Sequence, residues 1–305
     1  MRNVGRSGLQ VSVVGLGCNN FGSRIDEEQS AAVVRACLEA GITFFDTADV
    51  YGQGASEEFL GRAVAGVRDE VVVATKFGAP TTRRPGGSRR NVLAACEDSL
   101  RRLGTDYIDL YYLHFPDPRT PITETLDALD DLVRGGKVRY VGSSNFAGWQ
   151  VAQADHVARE RGRARFVASQ AEWSLLRRLI EREVVPACSA YGIGVVPYFP
   201  LASGLLTGKY RRGEPFPEGS RLSRSPTFQR MATDETFDTV ERLAAVAHTM
   251  GRSLLEVAVA WLLHQPVVAS VIAGATTPEQ VRANAATAEV SLTPEEVRAL
   301  ADAAS

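Results

Sequence analysis

The sequence predicts a single α/β domain: a (β/α)8 TIM barrel with a short N-terminal hairpin and a long loop after the seventh barrel strand. Eight short apolar segments alternate with segments that fit helices with one apolar face. Such alternation indicates a parallel sheet covered by helices, and eight units favour a closed barrel over an open doubly wound sheet. No linker or internal repeat divides residues 1–305.

The predicted elements follow one another in a regular order. The first helix is predicted to begin after Asp26, a good N-cap residue, and to end before Gly41. The regularity stops at Leu201–Thr233, whose glycines and prolines predict a long loop of the kind that often carries function. Helices over Thr236–Met250 and Leu254–His264 then precede the last strand. The eight predicted strands are Val13–Gly17, Thr43–Asp46, Val71–Lys76, Tyr107–His114, Tyr140–Ser144, Val167–Gln170, Gly194–Tyr198 and Ala269–Ile272.

Composition narrows the class of protein. The chain has 34 basic and 36 acidic residues, a formal net charge of −2 and 45% hydrophobic residues, as globular proteins do. This balance argues against a disordered chain and against a dedicated nucleic-acid-binding protein. Four widely spaced cysteines predict free thiols in a reducing compartment, and the N-terminus has no apolar stretch typical of a secretory signal. We therefore expect a cytoplasmic protein that binds neither nucleic acid nor membrane.

Two glycine-rich motifs resemble nucleotide-binding loops only in part. The segment from Gly15 to Asn20 begins like a dinucleotide fingerprint, but Asn20 stands where the third glycine belongs. An open dinucleotide-binding sheet, the alternative fold, would place Asp46 on a ribose. The segment from Gly204 to Tyr210 is one residue shorter than a Walker loop and has tyrosine in place of serine or threonine. No histidine pair has metal-ligand spacing.

Polar residues end three consecutive predicted strands. Asp46, Lys76 and His114 would meet at the mouth of a barrel, and Tyr51 follows in the loop after the second strand. A nearby ammonium group lowers the pKa of a phenol, so Lys76 is expected to make Tyr51 a better acid while Asp46 holds Lys76. His114 would donate to a developing alkoxide. The set predicts proton donation to a carbonyl group.

The last strand indicates a phosphate-bearing ligand. It leads through Gly274 into a helix start marked by Thr277 as N-cap and Pro278 at the first helical position. A helix N-terminus after a late barrel strand is a common phosphate site, and Lys209 and Arg221 in the long loop would add positive charge. Carbonyl protonation together with a phosphate-bearing ligand points to a reduced nicotinamide cofactor.

Together these segments resemble the aldo-keto reductase superfamily, in the branch that contains bacterial reductases and potassium-channel β subunits. The similarity extends from Gly8 to about Ala286. The motifs that carry it are Phe45-Asp46-Thr47-Ala48, Tyr51-Gly52, Thr75-Lys76, Leu113-His114, Gly142-Ser143-Ser144-Asn145-Phe146, Pro200-Leu201, Gly204-Leu205-Leu206-Thr207-Gly208-Lys209-Tyr210 and Gly274-Ala275-Thr276 with Gln280 and Asn284.

The resemblance implies a role for each matching residue and NADPH as the cofactor. It makes Tyr51 the general acid, tuned by Asp46 and Lys76, with His114 orienting the carbonyl. It assigns the nicotinamide to Ser144, Asn145, Gln170 and Tyr198, the phosphates to Leu201, Gly204, Lys209 and Arg221, and the adenosine end to Gly274, Thr276, Gln280 and Asn284. Two positions depart from the family pattern: Phe199 replaces a usual serine, and Ala283 replaces an acidic residue.

Other interpretations of the same residues stay open at this point. Asp46 and Lys76 could form a structural ion pair, and Lys209 and Arg221 could belong to a solvated loop surface. A nicotinamide-binding regulatory subunit with little turnover is the alternative function, although the retained His114 favours catalysis. Substrate recognition is expected from residues after the strand ends, in a shallow pocket without a long C-terminal cover. The expected substrate-contacting segments are Asn20, Phe21, Phe77–Arg90, Phe115, Trp173 and the C-terminal tail of the chain.

Overall fold

The structure, a computed structural model, describes all 305 residues and contains a closed barrel of eight parallel strands. A two-stranded antiparallel hairpin, β1 and β2, precedes the barrel. The strands are β1 Arg2–Asn3, β2 Gln10–Val11, β3 Val14–Gly17, β4 Phe44–Asp46, β5 Val72–Phe77, β6 Ile108–Leu113, β7 Val138–Ser144, β8 Phe166–Glu172, β9 Gly194–Tyr198 and β10 Val271–Gly274.

Helices follow the barrel strands, as the alternation predicts. The α-helices are α1 Glu27–Glu39, α2 Ala55–Val64, α3 Arg89–Leu103, α4 Ile122–Arg134, α5 Gly148–Glu160, α6 Val184–Tyr191, α7 Arg221–Arg224, α8 Pro226–Gln229, α9 Asp234–Thr249, α10 Leu254–Leu263, α11 Pro278–Ala286 and α12 Pro294–Ala303. The N-caps predicted at Asp26 and Thr277 are confirmed, because each side chain accepts a hydrogen bond from the third residue of its helix. The long loop after β9 contains the short helices α7 and α8.

The barrel interior and the helix layer form separate apolar clusters. Alternate residues of a strand point to opposite faces, so Phe44, Ala74, Leu110 and Tyr112 fill the inside of the barrel. A much larger cluster of 64 buried residues lies between the strands and the helices. Polar side chains replace apolar ones only near the carboxyl ends of the strands, which leaves that end of the barrel available for a site.

The N-terminal hairpin closes the opposite end of the barrel. Val4, Leu9 and Val11 pack into the interior cluster. Gly5 lies so close to the chain before β9 that a Cβ atom there would be 2.4 Å from the Gly192 carbonyl oxygen. Ligands therefore have access from the carboxyl ends of the strands.

No single helix is long and apolar enough to span a membrane. Only α9 and α10 taken together have the required length and apolar composition, and they are bent by 89° at their junction. Most residues of α10 are buried in the larger core cluster. The prediction of a helix over Leu254–His264 before the last strand is confirmed to within one residue.

Candidate active site

The predicted site residues surround one cavity of about 570 Å³ at the carboxyl ends of the strands. Of the predicted residues, Lys76 alone does not line it: its side chain is fully buried beneath Asp46. The lining members are Asp46, Tyr51, His114, Ser144, Asn145, Gln170, Tyr198, Leu201, Gly204, Lys209, Arg221, Gly274, Thr276, Gln280 and Asn284.

The floor of the cavity contains a buried ion pair. The Lys76 ammonium donates to Asp46 Oδ1 at 2.5 Å and to the Thr47 carbonyl oxygen at 2.8 Å. Burial opposes a charged amine, but Asp46 and Tyr51 together raise the pKa of Lys76, so its ammonium group stays charged. The Gln170 amide donates to the second Asp46 oxygen at 2.8 Å, which satisfies the carboxylate from both sides. A buried pair gains little stability over apolar packing, so its position directly below a cavity favours a functional role over a purely structural one.

Tyr51 lies against this pair in a turn with unusual backbone geometry. Its ring centroid is 5.1 Å from Lys76 Nζ and 6.1 Å from the His114 ring, in an edge-to-face arrangement. Burial raises the pKa of Tyr51 above its ordinary value, while Lys76 lowers it in part. The predicted direction of this pKa shift is therefore wrong for the free protein, because desolvation of the phenolate outweighs the attraction of the ammonium. The contribution of Lys76 alone lowers the pKa of Tyr51, as expected.

His114 directly follows β6 and is held as a neutral ring. Burial and the nearby Lys76 charge lower its pKa to about 3. Its Nδ1 atom is buried without a hydrogen-bond partner. A neutral imidazole carries one N–H donor, so His114 can donate one hydrogen bond to a carbonyl oxygen without adding a charge.

We expect His114 to remain neutral from pH 7 down to pH 5, since its pKa lies near 3. The measurement is the nitrogen-15 spectrum of imidazole-labelled protein, in which the His114→Gln variant identifies the signal. A His114 signal that titrates near the ordinary pKa of about 6.5 would contradict the buried neutral ring.

Tyr198 and Asn145 form the wall beside His114. The Tyr198 hydroxyl donates to Asn145 Oδ1 at 2.7 Å, and Asn145 Nδ2 donates to the His114 carbonyl oxygen at 3.0 Å. Asn145 adopts a left-handed backbone with φ of 61°, a conformation uncommon for residues other than glycine. Ser144 lies next to it and accepts a hydrogen bond from the same amide. The aromatic ring and hydroxyl of Tyr198 and the amide of Asn145 therefore lie together beside His114.

A concave part of the cavity, the cationic cradle, is formed by the start of the long loop after β9 and by three cations, two from this loop and one from the segment before α1. Phe199, Ala202, Ser203 and Gly204 all have positive φ, between 44° and 97°, and such reversals make concave anion-binding surfaces. The Ser203 hydroxyl is buried without a partner. The cations that line this part are Arg24, Lys209 and Arg221.

These three cations are not paired with carboxylates. Arg24 donates to the Gly219 carbonyl oxygen, leaving its buried Nε without a partner, and Arg221 donates to Asn20 at 3.3 Å. The predicted solvated-loop alternative does not describe Arg221, which is half-buried, with its guanidinium 5.1 Å from the ring centroid of Phe199 and 5.4 Å from that of Phe228. Arg24 is absent from the predicted site residues, because nothing in the loop before α1 indicates that it lies beside the distant loop after β9.

The last strand and α11 complete the cavity. The backbone N–H of Thr276 donates to Gln280 Oε1 at 2.8 Å, and Asn284, one turn further, is buried at the cavity wall. Ala283 also lines the cavity, so the residue that departs from the family pattern lies where a side chain could contact a ligand. No residue after Asn284 lines the cavity, so the C-terminal tail, expected to contact the substrate, does not reach it.

The expected substrate-contacting residues are only partly at the cavity. Asn20 and Phe115 line it, and Phe115 stacks on the His114 ring. No residue of 77–90 lines the cavity. Strand alternation turns the Phe77 ring outward onto Tyr111. Phe21 is fully buried in the core. Trp173 is buried in the packing, where its indole N–H donates to Glu181 and its ring meets Trp261.

Comparison with known proteins adds the family. The model of the Aldo/keto reductase family matches residues 13–305. The chain belongs to this family. Membership supports an oxidoreductase, and it confirms the resemblance noted in the sequence.

Individual relatives carry names of two kinds. The chain is 38% identical to "Uncharacterized oxidoreductase YrpG" of Bacillus subtilis (strain 168), over 98% of this chain and 94% of the relative. It is 36% identical to "Probable aldo-keto reductase 1" of Glycine max, over 98% and 87%. It is also 37% identical to "Probable voltage-gated potassium channel subunit beta" of Oryza sativa subsp. japonica, over 97% and 94%.

Proposed function

We propose that this aldo/keto reductase family member reduces an aldehyde or ketone to an alcohol with NADPH, and that Tyr51 donates the proton. The observation that carries the proposal is the convergence of Asp46, Lys76, Tyr51 and His114 on one wall of a cavity whose other end is cationic. The proposal includes a small carbonyl compound as substrate and a cytoplasmic location.

The chain's own residues perform the acid chemistry. His114 donates a hydrogen bond to the carbonyl oxygen and Tyr51 delivers its proton to that oxygen as negative charge develops there. Lys76 stabilises the resulting phenolate, and Asp46 with Gln170 holds Lys76 in place. A bound NADPH supplies the hydride to the carbonyl carbon.

The residues present fit this cofactor. The ring face of Tyr198 and the polar groups of Ser144, Asn145 and Gln170 would hold the nicotinamide. Leu201, Gly204, Lys209 and Arg221 would hold the phosphates, with Gly274, Thr276, Gln280 and Asn284 at the adenosine end. The buried, partnerless hydroxyl of Ser203 and the three unpaired cations support an anionic ligand, and the amount of positive charge favours NADPH over NADH.

The experiment follows the loss of NADPH absorbance by the purified protein with a panel of aldehydes and ketones. We expect turnover that depends on the carbonyl compound and a lower KM for NADPH than for NADH. Raising the salt concentration should weaken NADPH binding more than NADH binding, because the 2′-phosphate adds charge. Tight NADPH binding without turnover of any carbonyl compound would contradict the proposal.

The second candidate is a nicotinamide-binding regulatory subunit. The observation that favours it is the 37% identity to a protein named as a potassium-channel β subunit. The complete set of Asp46, Tyr51, Lys76 and His114 at the cavity supports catalysis instead. The turnover experiment separates the two candidates, since a regulatory subunit would bind NADPH with little or no carbonyl-dependent oxidation.

A further inference from the structure

A buried carboxylate that the proposed mechanism does not use lies next to the Tyr51 turn. Glu57 is in the first turn of α2, six residues after Tyr51, and it is 0% exposed. Its Oε1 accepts from the Thr75 hydroxyl at 2.5 Å and its Oε2 from Arg102 Nε at 2.6 Å. Removing both charged groups from water is unfavourable, so we expect this buried ion pair to have a specific structural or functional role.

Glu57 connects the helix that follows Tyr51 to the strand that carries Lys76. Thr75 and Lys76 are neighbours in β5, and strand alternation points Lys76 into the barrel and Thr75 toward the helices. The Glu57–Thr75 hydrogen bond is therefore an attachment on the outer face of β5, directly behind the Asp46–Lys76 pair. It fixes the position of α2 along the strand.

The Tyr51 turn needs such an attachment because its own backbone is strained. Gly52, Gln53 and Gly54 all have positive φ, and this conformation is unfavourable for Gln53, which carries a Cβ atom. Arg102 packs directly against the turn: a Cβ atom at Gly54 would be 2.8 Å from Arg102 Cδ. Arg102 thus holds the end of the turn and Glu57 at the same time.

A second carboxyl group, that of Asp49, belongs to the cluster formed by Glu57, Thr75 and Arg102. The Asp49 backbone N–H donates to the Lys76 carbonyl oxygen at 3.1 Å, and its buried Oδ1 has no partner. Burial, and next the Glu57 charge, raise the pKa of Asp49 to about 7, while Arg102 and Lys76 act in the opposite direction. The other titratable groups near this cluster are Tyr111 from β6 and Cys96 from α3.

We propose that Glu57, held by Thr75 and Arg102, is a positioning residue that keeps the Tyr51 hydroxyl against Lys76. It touches neither the cavity nor the reacting atoms, and it acts by tying the strained turn and α2 to β5. The inference rests on the proposed role of Tyr51 as the proton donor.

The test compares Glu57→Gln with Glu58→Gln, which removes the same charge from the next residue, exposed on the same helix. Glu57→Gln removes the negative charge that faces Arg102. The amide can offer Arg102 a neutral oxygen only by turning its N–H group toward Thr75, so the attachment is weakened. We expect kcat for carbonyl reduction to fall roughly 10- to 100-fold, as misplacement of a reacting group does, with KM for NADPH changed less than about twofold. The Glu58→Gln variant should match the wild type. In a Tyr51→Phe background, Glu57→Gln should cause no further loss.

A second readout needs no cofactor. Fluorotyrosine-labelled protein gives a fluorine-19 signal for Tyr51, which its loss in Tyr51→Phe identifies. Removing a negative charge alone would lower the pKa of Tyr51, whereas withdrawal from Lys76 raises it. We expect the Tyr51 titration to move to higher pH in Glu57→Gln and to stay unchanged in Glu58→Gln.

If Glu57→Gln does not fold, Thr75→Val is the second variant. It removes the hydroxyl that donates to Glu57 and keeps the shape of the side chain. We expect the same fall in kcat and the same shift of the Tyr51 titration. Wild-type kcat and an unmoved Tyr51 signal in a folded Glu57→Gln or Thr75→Val protein would overturn the inference. If the wild-type protein does not reduce carbonyl compounds, the proposed function fails instead, and the fluorine readout still tests whether Glu57 places Tyr51.

Discussion

Replacing Tyr51 with phenylalanine is expected to lower kcat for carbonyl reduction by roughly 10²- to 10⁴-fold, the usual contribution of a positioned general acid. The ring stays in place and only the hydroxyl is lost, so the cavity keeps its shape. NADPH affinity should change little, because the cationic cradle lies at the other end of the cavity.

The measurement is steady-state kinetics together with NADPH binding followed by fluorescence. Tyr191→Phe is the matched control, since it removes a hydroxyl from α6, outside the barrel. Unchanged kcat in Tyr51→Phe would contradict the proton-donor role, and parallel loss of NADPH affinity would indicate that the variant damages the cavity.

Replacing Lys76 with methionine is expected to have two large effects. Asp46 remains buried with Gln170 as its remaining side-chain donor, and breaking a buried ion pair by removing one partner costs about 3–5 kcal/mol in the free energy of unfolding. Turnover should also fall strongly, because the phenolate of Tyr51 would lose the ammonium that stabilises it. Urea unfolding and steady-state kinetics measure the two effects.

The double variant Asp46→Asn/Lys76→Met separates stability from catalysis. It removes both charges, so most of the lost unfolding free energy should return, while turnover stays low. A double variant with near wild-type turnover would contradict a catalytic role for the pair. A single Lys76→Met variant as stable as the wild type would show that Asp46 does not remain charged and buried.

Much of the fold could be predicted because it depends on local periodicity. The alternation of apolar strands and amphipathic helices specified the closed barrel, and the caps at Asp26 and Thr277 fixed two helix starts. Strand edges differed by a few residues: the last barrel strand was predicted at Ala269–Ile272 and lies at Val271–Gly274. The order of strand ends around the barrel then brought Asp46, Lys76 and His114 together.

The features that could not be predicted depend on contacts between distant segments. Arg24 reaches the cavity only because the loop before α1 meets the loop after β9, a separation of 195 residues along the chain. Glu57 is an ordinary helix residue in the sequence, and its importance depends on Thr75 and Arg102. The errors at Phe77 and Trp173 have the same origin, because proximity to a strand end does not determine the face to which a side chain points.

The proposed function requires the transfer of a hydride from NADPH and a proton from Tyr51 to a carbonyl group. Transfer of deuterium from NADPH labelled at both hydrogens of the nicotinamide C4 atom is the decisive measurement, with the alcohol product analysed by mass spectrometry. We expect one deuterium on the former carbonyl carbon in the wild-type product and almost no labelled product with Tyr51→Phe. Protein that binds labelled NADPH yet yields no deuterated alcohol from any carbonyl compound in the panel would contradict the proposed function.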